Sequence, residues 1–241
     1  QPAADIVVHL AGQAGVAESW KFPEAFHRTN YLTTLAALEF ARQHNARFLY
    51  VSSYMYGIPR YLPIDEDHPI ETLNPYASSK YVGEILCRNY ANLVNMPLAI
   101  VRPFNIYGPG QGNHNVISLL VEQAIHSGTI NVADLAPRRD YLYVDDFADA
   151  LCRLIEAKGN DLRVYNAGSG NSYSVEQIIK ALFGVIGETL PVTCREEPRV
   201  NEIDDCYADF SSLTADVGWR PETCLRQGLE KMVEELRKNP D

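Results

Sequence analysis

Arg47-Phe48-Leu49-Tyr50-Val51-Ser52-Ser53 is an apolar run that stops on two hydroxyls. It is short and continuous rather than alternating, so it reads as a strand buried on both faces, the kind a parallel sheet makes. A loop with Gly57, Pro59, Pro63, Pro69 and Pro75 follows, and then a helical pattern from about Tyr76 to Asn95. Upstream, Ile6-Val7-Val8-His9-Leu10 is a second buried strand, and a helix runs from about Phe22 to His44. Downstream, Leu98-Ala99-Ile100-Val101 is a third strand. Short apolar strands separated by long helices form parallel βαβ units, with helices on both sheet faces.

Beyond Arg102 the rhythm changes. Gly108-Pro109-Gly110-Gln111-Gly112 is loop punctuation, and shorter elements follow with less regular spacing. Helices are expected over Val116 to His126, Asp145 to Ala157, Val175 to Gly187 and Leu225 to Arg237. The 241 residues, 46% hydrophobic and 22% charged, suit a globular chain with a real core. A net charge of −10 argues against a nucleic-acid surface. The apolar runs are too short to span a membrane, and no basic segment precedes an apolar one at the N-terminus. Cys87, Cys152, Cys194, Cys206 and Cys224 are widely spaced, with no C-x-x-C pair and no zinc framework. Reduced thiols in a cytoplasmic protein, without a metal site, are the expectation.

The chemistry begins at Tyr76-Ala77-Ser78-Ser79-Lys80, which puts a phenol and an ammonium on one helix face. A neighbouring cation favours phenolate, which makes a tyrosine usable as a general base near neutral pH. In a chain with 14 tyrosines the pair is not specific by itself. Its context adds weight. Ser52 ends a parallel strand, where open α/β sheets assemble their sites, and Asn74-Pro75 breaks the chain just before Tyr76. A serine there either binds a substrate hydroxyl or caps the loop. His9 reads as a structural hydrogen bonder at a strand end. Among the arginines, Arg138, Arg139, Arg195 and Arg199 could gather into a local anion site, since guanidinium groups suit phosphate.

These residues fall into six ordered blocks: His9-Leu10-Ala11-Gly12, Ser52-Ser53-x-x-Tyr56-Gly57, Pro75-Tyr76-Ala77-x-Ser79-Lys80, Arg102-Pro103-Phe104-Asn105-x-Tyr107-Gly108-Pro109, Arg139-Asp140-Tyr141-x-Tyr143-Val144-x-Asp146 and Gly218-Trp219-x-Pro221. Together they resemble the NAD-dependent epimerase/dehydratase family of extended short-chain dehydrogenases, over essentially the whole chain. The resemblance implies an α/β, Rossmann-like doubly wound parallel sheet with a smaller C-terminal α/β substrate-binding lobe. Residues 1–102 and roughly 141–166 would form the NAD-binding part, and 103–140 with 167–241 the substrate lobe.

By the same resemblance, Ser52 and Tyr76 contact the sugar 4-hydroxyl, with Tyr76 as base, and Lys80 holds the nicotinamide ribose and tunes Tyr76. Leu10, Ala11 and Gly12 pass beside the cofactor, Asn30 braces that region and the Ser52 strand, and Pro103 and Phe104 flank the nicotinamide. Asn105, Arg139 and Arg199 match diphosphate-binding positions, with Glu202 near the nucleotide ribose. Asn115 and Val116 match a substrate-contacting helix start, and Ile130 and Val132 a strand that lines the base. Arg138 and Arg195 read as surface residues.

Family members take hydride from sugar C4 to NAD and then diverge. Dehydratases of this kind carry an acid or base just after the serine, where Ser53 and Tyr54 stand here, so the resemblance leans to a 4-epimerase of UDP-glucose type. Cys206 falls where a bulky tyrosine in some relatives narrows the sugar pocket, which leads to the expectation that N-acetylated sugars also fit. The alternatives are another nucleotide-sugar epimerase or reductase of this fold, or an inactive sugar-nucleotide binder. No glycine-rich G-x-x-G-x-x-G turn follows a strand here; Gly12 and Gly15 do, but Val16-Ala17-Glu18 does not complete the pattern. The sequence therefore reads as N-terminally truncated, with a weak grip on NAD and an uncovered sheet edge at the Ile6 strand. Family members dimerise through helices matching Thr33 to His44 and Tyr76 to Asn95, so a homodimer is expected.

Overall fold

The structure is a computed structural model that describes residues 4–112, 115–157, 159, 161–196 and 202–238. Strands β1 (Ile6–His9), β2 (Arg47–Val51), β3 (Leu98–Pro103) and β7 (Arg163–Ala167) form one parallel sheet in the order β1-β2-β3-β7, with β1 at an edge. Phe48 lies opposite Leu98 and Val51 opposite Val101, so the two longest apolar runs are in register at the sheet centre.

The period of two along a strand sends alternate side chains to opposite faces. Phe48, Tyr50, Leu98 and Ile100 pack with Leu38 and Ala41 of α2 (Pro23–His44) and Cys87 of α3 (Pro75–Val94). Leu49, Val51, Ala99 and Val101 face the other way, against Phe147, Ala150, Leu151 and Leu154 of α5 (Val144–Glu156) and against Trp219. A sheet apolar on both sides and covered by helices on both sides is a doubly wound, Rossmann-like α/β fold.

A second core lies in the chain beyond β3. It joins Ile117 and Leu120 of α4 (Val116–Glu122), Ile130 of β5 (Ile130–Val132), Ile178 and Leu182 of α6 (Val175–Ile186), and Leu229 of α8 (Leu225–Lys238). Around it, β4 (Asn105–Tyr107), β6 (Arg138–Tyr143) and β8 (Ser172–Ser174) form a mixed three-stranded sheet, and β5 pairs with β9 (Val192–Cys194).

The long helices lie where the sequence puts them, with three differences. Leu10 falls outside β1 and is exposed. The helix expected over Val116 to His126 changes to π-helical turns over Gln123–Ser127. Two helices were not expected: α1 (Val16–Lys21) and α7 (Ser211–Val217). None of the described helices is long and apolar enough to cross a membrane.

Candidate active site

Beyond β2 the chain continues alongside β3. The Ser52 N–H donates to Val101 O at 2.8 Å and the Tyr54 N–H to Pro103 O at 3.1 Å. Ser52, Ser53 and Tyr54 are thus held at the carboxyl end of the sheet. Ser52 is 3% exposed, and its Oγ has no hydrogen-bond partner. A buried hydroxyl left unpaired costs about 1–3 kcal/mol, so natural chains keep few of them.

Helix α3 delivers the other two groups. Asn74 caps it, its Oδ1 accepting from the Ala77 N–H at 2.8 Å, and Pro75 supplies a preset first helical residue. Tyr76 therefore sits in the first turn, edge-on to Phe26 with ring centroids 6.4 Å apart. Burial lifts its phenol above the ordinary value, and a hydrogen bond with Ser53 offsets part of that rise. One turn on, Lys80 is buried, and its Nζ donates to Val51 O at 2.6 Å while lying 4.7 Å from the Tyr50 ring centroid. Burial brings this ammonium down to about 8. The sequence expectation was that Lys80 lowers the Tyr76 phenol. In the structure the ammonium is turned to β2, and burial of the phenol wins.

Ser53 is the contact that sequence reasoning missed. Its only signal was a second hydroxyl beside Ser52 in an extended run.

The helix can approach this closely because residue 83 is glycine. A Cβ there would lie 2.1 Å from the Tyr50 hydroxyl, which donates to Lys80 O at 3.2 Å.

At the end of β1, Leu10, Ala11 and Gly12 are exposed. Asn30, 2% exposed, ties this loop to α3: its Oδ1 accepts from the Gln13 N–H at 2.7 Å, and its Nδ2 donates to Ser79 Oγ at 2.8 Å and to Gln13 O at 3.2 Å. The expected brace thus reaches Lys80's neighbour rather than the Ser52 strand itself. A Cβ on Gly12 would come within 2.9 Å of Asn30 Oδ1, so this loop position has room only for glycine. His9 is buried 3.1 Å from the Thr34 hydroxyl and stacked on Tyr50; burial, then the Lys80 charge, lowers it to about 4, so it is neutral near pH 7.

A second group of expected residues gathers around β4 and β6. Arg139 forms an ion pair with Glu202 and donates to Ile203 O. Asn105 Nδ2 donates to Asp140 O at 2.9 Å, and its Oδ1 accepts from the Tyr54 hydroxyl at 3.0 Å. Cys206 is 1% exposed in a cluster with Tyr56, Ile64, Phe104 and Ala208, and burial holds its thiol up at about 12. Tyr54 therefore runs from the serine end of the site to the arginine end.

The remaining positions are spread more widely. Pro103 ends β3, and Phe104 lies under the Tyr54 ring. Asn115 is exposed at the start of α4 and Val116 half-buried. Ile130 and Val132 turn their side chains into the second core, so only their backbones could meet a ligand. Arg138 binds Ser172 and Gln177 and pairs with Asp205, as a structural surface residue. Arg199 lies outside the described residues.

The sequence profile of the NAD dependent epimerase/dehydratase family matches residues 1–168. The chain belongs to this family. It is 34% identical over 245 residues to a putative UDP-glucose 4-epimerase of Methanocaldococcus jannaschii, covering 98% of this chain and 78% of that protein. It is also 31% identical over 242 residues to a GDP-6-deoxy-D-mannose reductase of Pseudomonas aeruginosa, covering 95% of this chain and 79% of the relative. Among solved structures, the UDP-glucose 4-epimerase of Thermotoga maritima with UDP-glucose superposes with a TM-score of 0.91 at 28% identity, over 97% of this chain and 77% of that one. The family thus includes epimerases and reductases among this chain's similar relatives, on one shared fold.

Proposed function

We propose that this chain is an NAD-dependent 4-epimerase of a UDP-hexose. The observation that carries the reading is the buried, unpartnered Ser52 Oγ at the same sheet end as Tyr76 and Lys80. A substrate hydroxyl placed between Ser52 and Tyr76 would satisfy the orphan. With the positive nicotinamide beside it, Tyr76 would be held as the phenolate that takes the proton from that hydroxyl as the C4 hydrogen leaves as hydride, and would return it when hydride comes back to the other face. NAD, bound beside Lys80, supplies the hydride acceptor and donor.

The residues present fit the nicotinamide half of that cofactor. Gly12 lets the loop after β1 lie close against Asn30, Asn30 holds that loop to Ser79, and Lys80, its ammonium held by Val51 O at 2.6 Å, lies at the same sheet end. Leu10, Ala11 and Pro103 would flank the ring. A diphosphate would be met by Arg139 and Asn105, with Glu202 released to the nucleotide ribose; Asn115, Val116, Ile130 and Val132 would serve the rest of the nucleotide, as would Arg199. The sheet half, residues 1–102 with 141–166, would hold the cofactor, and the rest the sugar nucleotide. We place the protein in the cytoplasm as a homodimer through α2 and α3, a reading supported by five free thiols and by exposed Leu32 and Ile85.

Ser53 and Tyr54 follow Ser52 where a dehydratase of this kind would need an acid or base, which favours epimerisation over loss of water. A reductase reading is favoured by the Pseudomonas relative. Incubation with NAD and UDP-galactose, followed by product analysis, tests the proposal. UDP-glucose as product supports it, whereas turnover only of a keto-sugar with NADPH supports the reductase.

A further inference from the structure

Cys206 is a small residue where the sugar site could gain room, yet its side chain is sealed from solvent. The aromatic ring packed onto the same cluster is Tyr54, two residues beyond Ser52. Three attachments hold it. Its N–H donates to Pro103 O at 3.1 Å, its ring stacks on Phe104 at 4.8 Å between centroids and 12° between planes, and its hydroxyl donates to Asn105 Oδ1 at 3.0 Å. Swinging the ring aside would break both the stack and the hydrogen bond. Tyr54 is half-buried, unlike Cys206 beneath the same cluster.

We infer that Tyr54, and not Cys206, sets the size of the sugar site: its ring covers the volume that the small Cys206 would leave, and it selects hexoses over their bulkier N-acetylated counterparts. This inference rests on the nucleotide-sugar reading, and it reverses the expectation drawn from Cys206 alone. Tyr54 has a second effect through Asn105. With Oδ1 accepting from Tyr54 and Nδ2 donating to Asp140 O, the amide is fixed in one orientation. Loss of the Tyr54 hydroxyl alone would therefore loosen Asn105 for every nucleotide sugar alike, without enlarging the site. Size selection and amide positioning are thus separable by substitution.

The test is equilibrium binding of UDP-glucose, UDP-N-acetylglucosamine and UDP to the full chain and its variants, with thermal unfolding to check folding. The wild type is expected to prefer UDP-glucose over UDP-N-acetylglucosamine by about tenfold or more, the scale on which a filled pocket rejects added bulk. Tyr54→Ser is expected to bring that ratio to within about threefold. Tyr54→Phe should weaken both sugars together, and Cys206→Ser should leave the ratio where it was. If Tyr54→Ser does not fold, Tyr54→Leu, which keeps apolar packing on Phe104, carries the same expectation. An unchanged ratio in a folded Tyr54 variant, or a ratio that moves in Cys206→Ser, overturns the inference while the epimerase reading stands. A wild type that binds UDP but neither sugar form more tightly overturns both.

Discussion

The unpaired hydroxyl of Ser52 ties stability and activity together in opposite senses. Its removal in Ser52→Ala leaves no buried donor unsatisfied, so thermal unfolding should show a variant as stable as the wild type or up to about 1 kcal/mol more so. Turnover should fall on the order of a hundredfold, the usual contribution of a positioned group at a proton transfer. A serine needed for structure would instead lower stability. His9 gives a prediction in pH. Its folded value of about 4 lies below the ordinary imidazole value of 6.5, so the unfolded chain takes up a proton first as pH falls. The stability this neutral imidazole contributes is present above pH 6.5 and is lost progressively down to pH 4, by about 3 kcal/mol. Urea titrations across that window should show the loss, and His9→Gln should flatten it.

At the scale of elements, α3 depends on its first turn. Asn74→Ala removes the acceptor for the Ala77 N–H and should cost about 1 kcal/mol in urea unfolding. Because Tyr76 lies two residues after the cap, turnover should fall by more than the stability loss explains. What the sequence disclosed follows the same logic of local signals. β2 and β3 were legible because four consecutive buried residues in one and six in the other leave no other period to read, and α3 because Asn74-Pro75 announces its start. Helix α1 was not, since six residues after an uncapped Gly15 carry too little periodicity, with Ser19 as the buried contact. At the π-helical turns after α4 a side chain spans to β5: Gln123 Oε1 accepts from the Asn131 N–H at 2.6 Å and its Nε2 donates to Asn131 O at 3.3 Å. In the site, Ser52, Tyr76 and Lys80 were legible from motif and strand end. The Ser53 contact and the turn of Lys80 toward Val51 were not, because both depend on which way a side chain leaves the strand or helix.

Across the molecule, one buried network joins parts distant in sequence. Arg102 of β3, 1% exposed, forks onto Glu84 of α3 at 2.8 and 2.6 Å and donates to the Tyr56 hydroxyl at 2.8 Å. Tyr56 in turn donates to Asn166 Oδ1 of β7 at 2.6 Å. Breaking a buried pair strands a charge, so Glu84→Ala should cost about 3–5 kcal/mol in urea unfolding. Replacing both partners, as Glu84→Leu with Arg102→Met, should recover most of that loss. Trp219 has a different consequence, one in time. It covers the face of β2 and β3 from the far end of the chain, with its Nε1 donating to Asp146 O at 2.9 Å. During synthesis α5 can cover part of that face once it emerges, and the rest waits until the ribosome has made Trp219, roughly three to thirteen seconds later at ordinary elongation speed. For that interval the nascent sheet is a sticky, half-clad surface, the kind of exposure that chaperones shield.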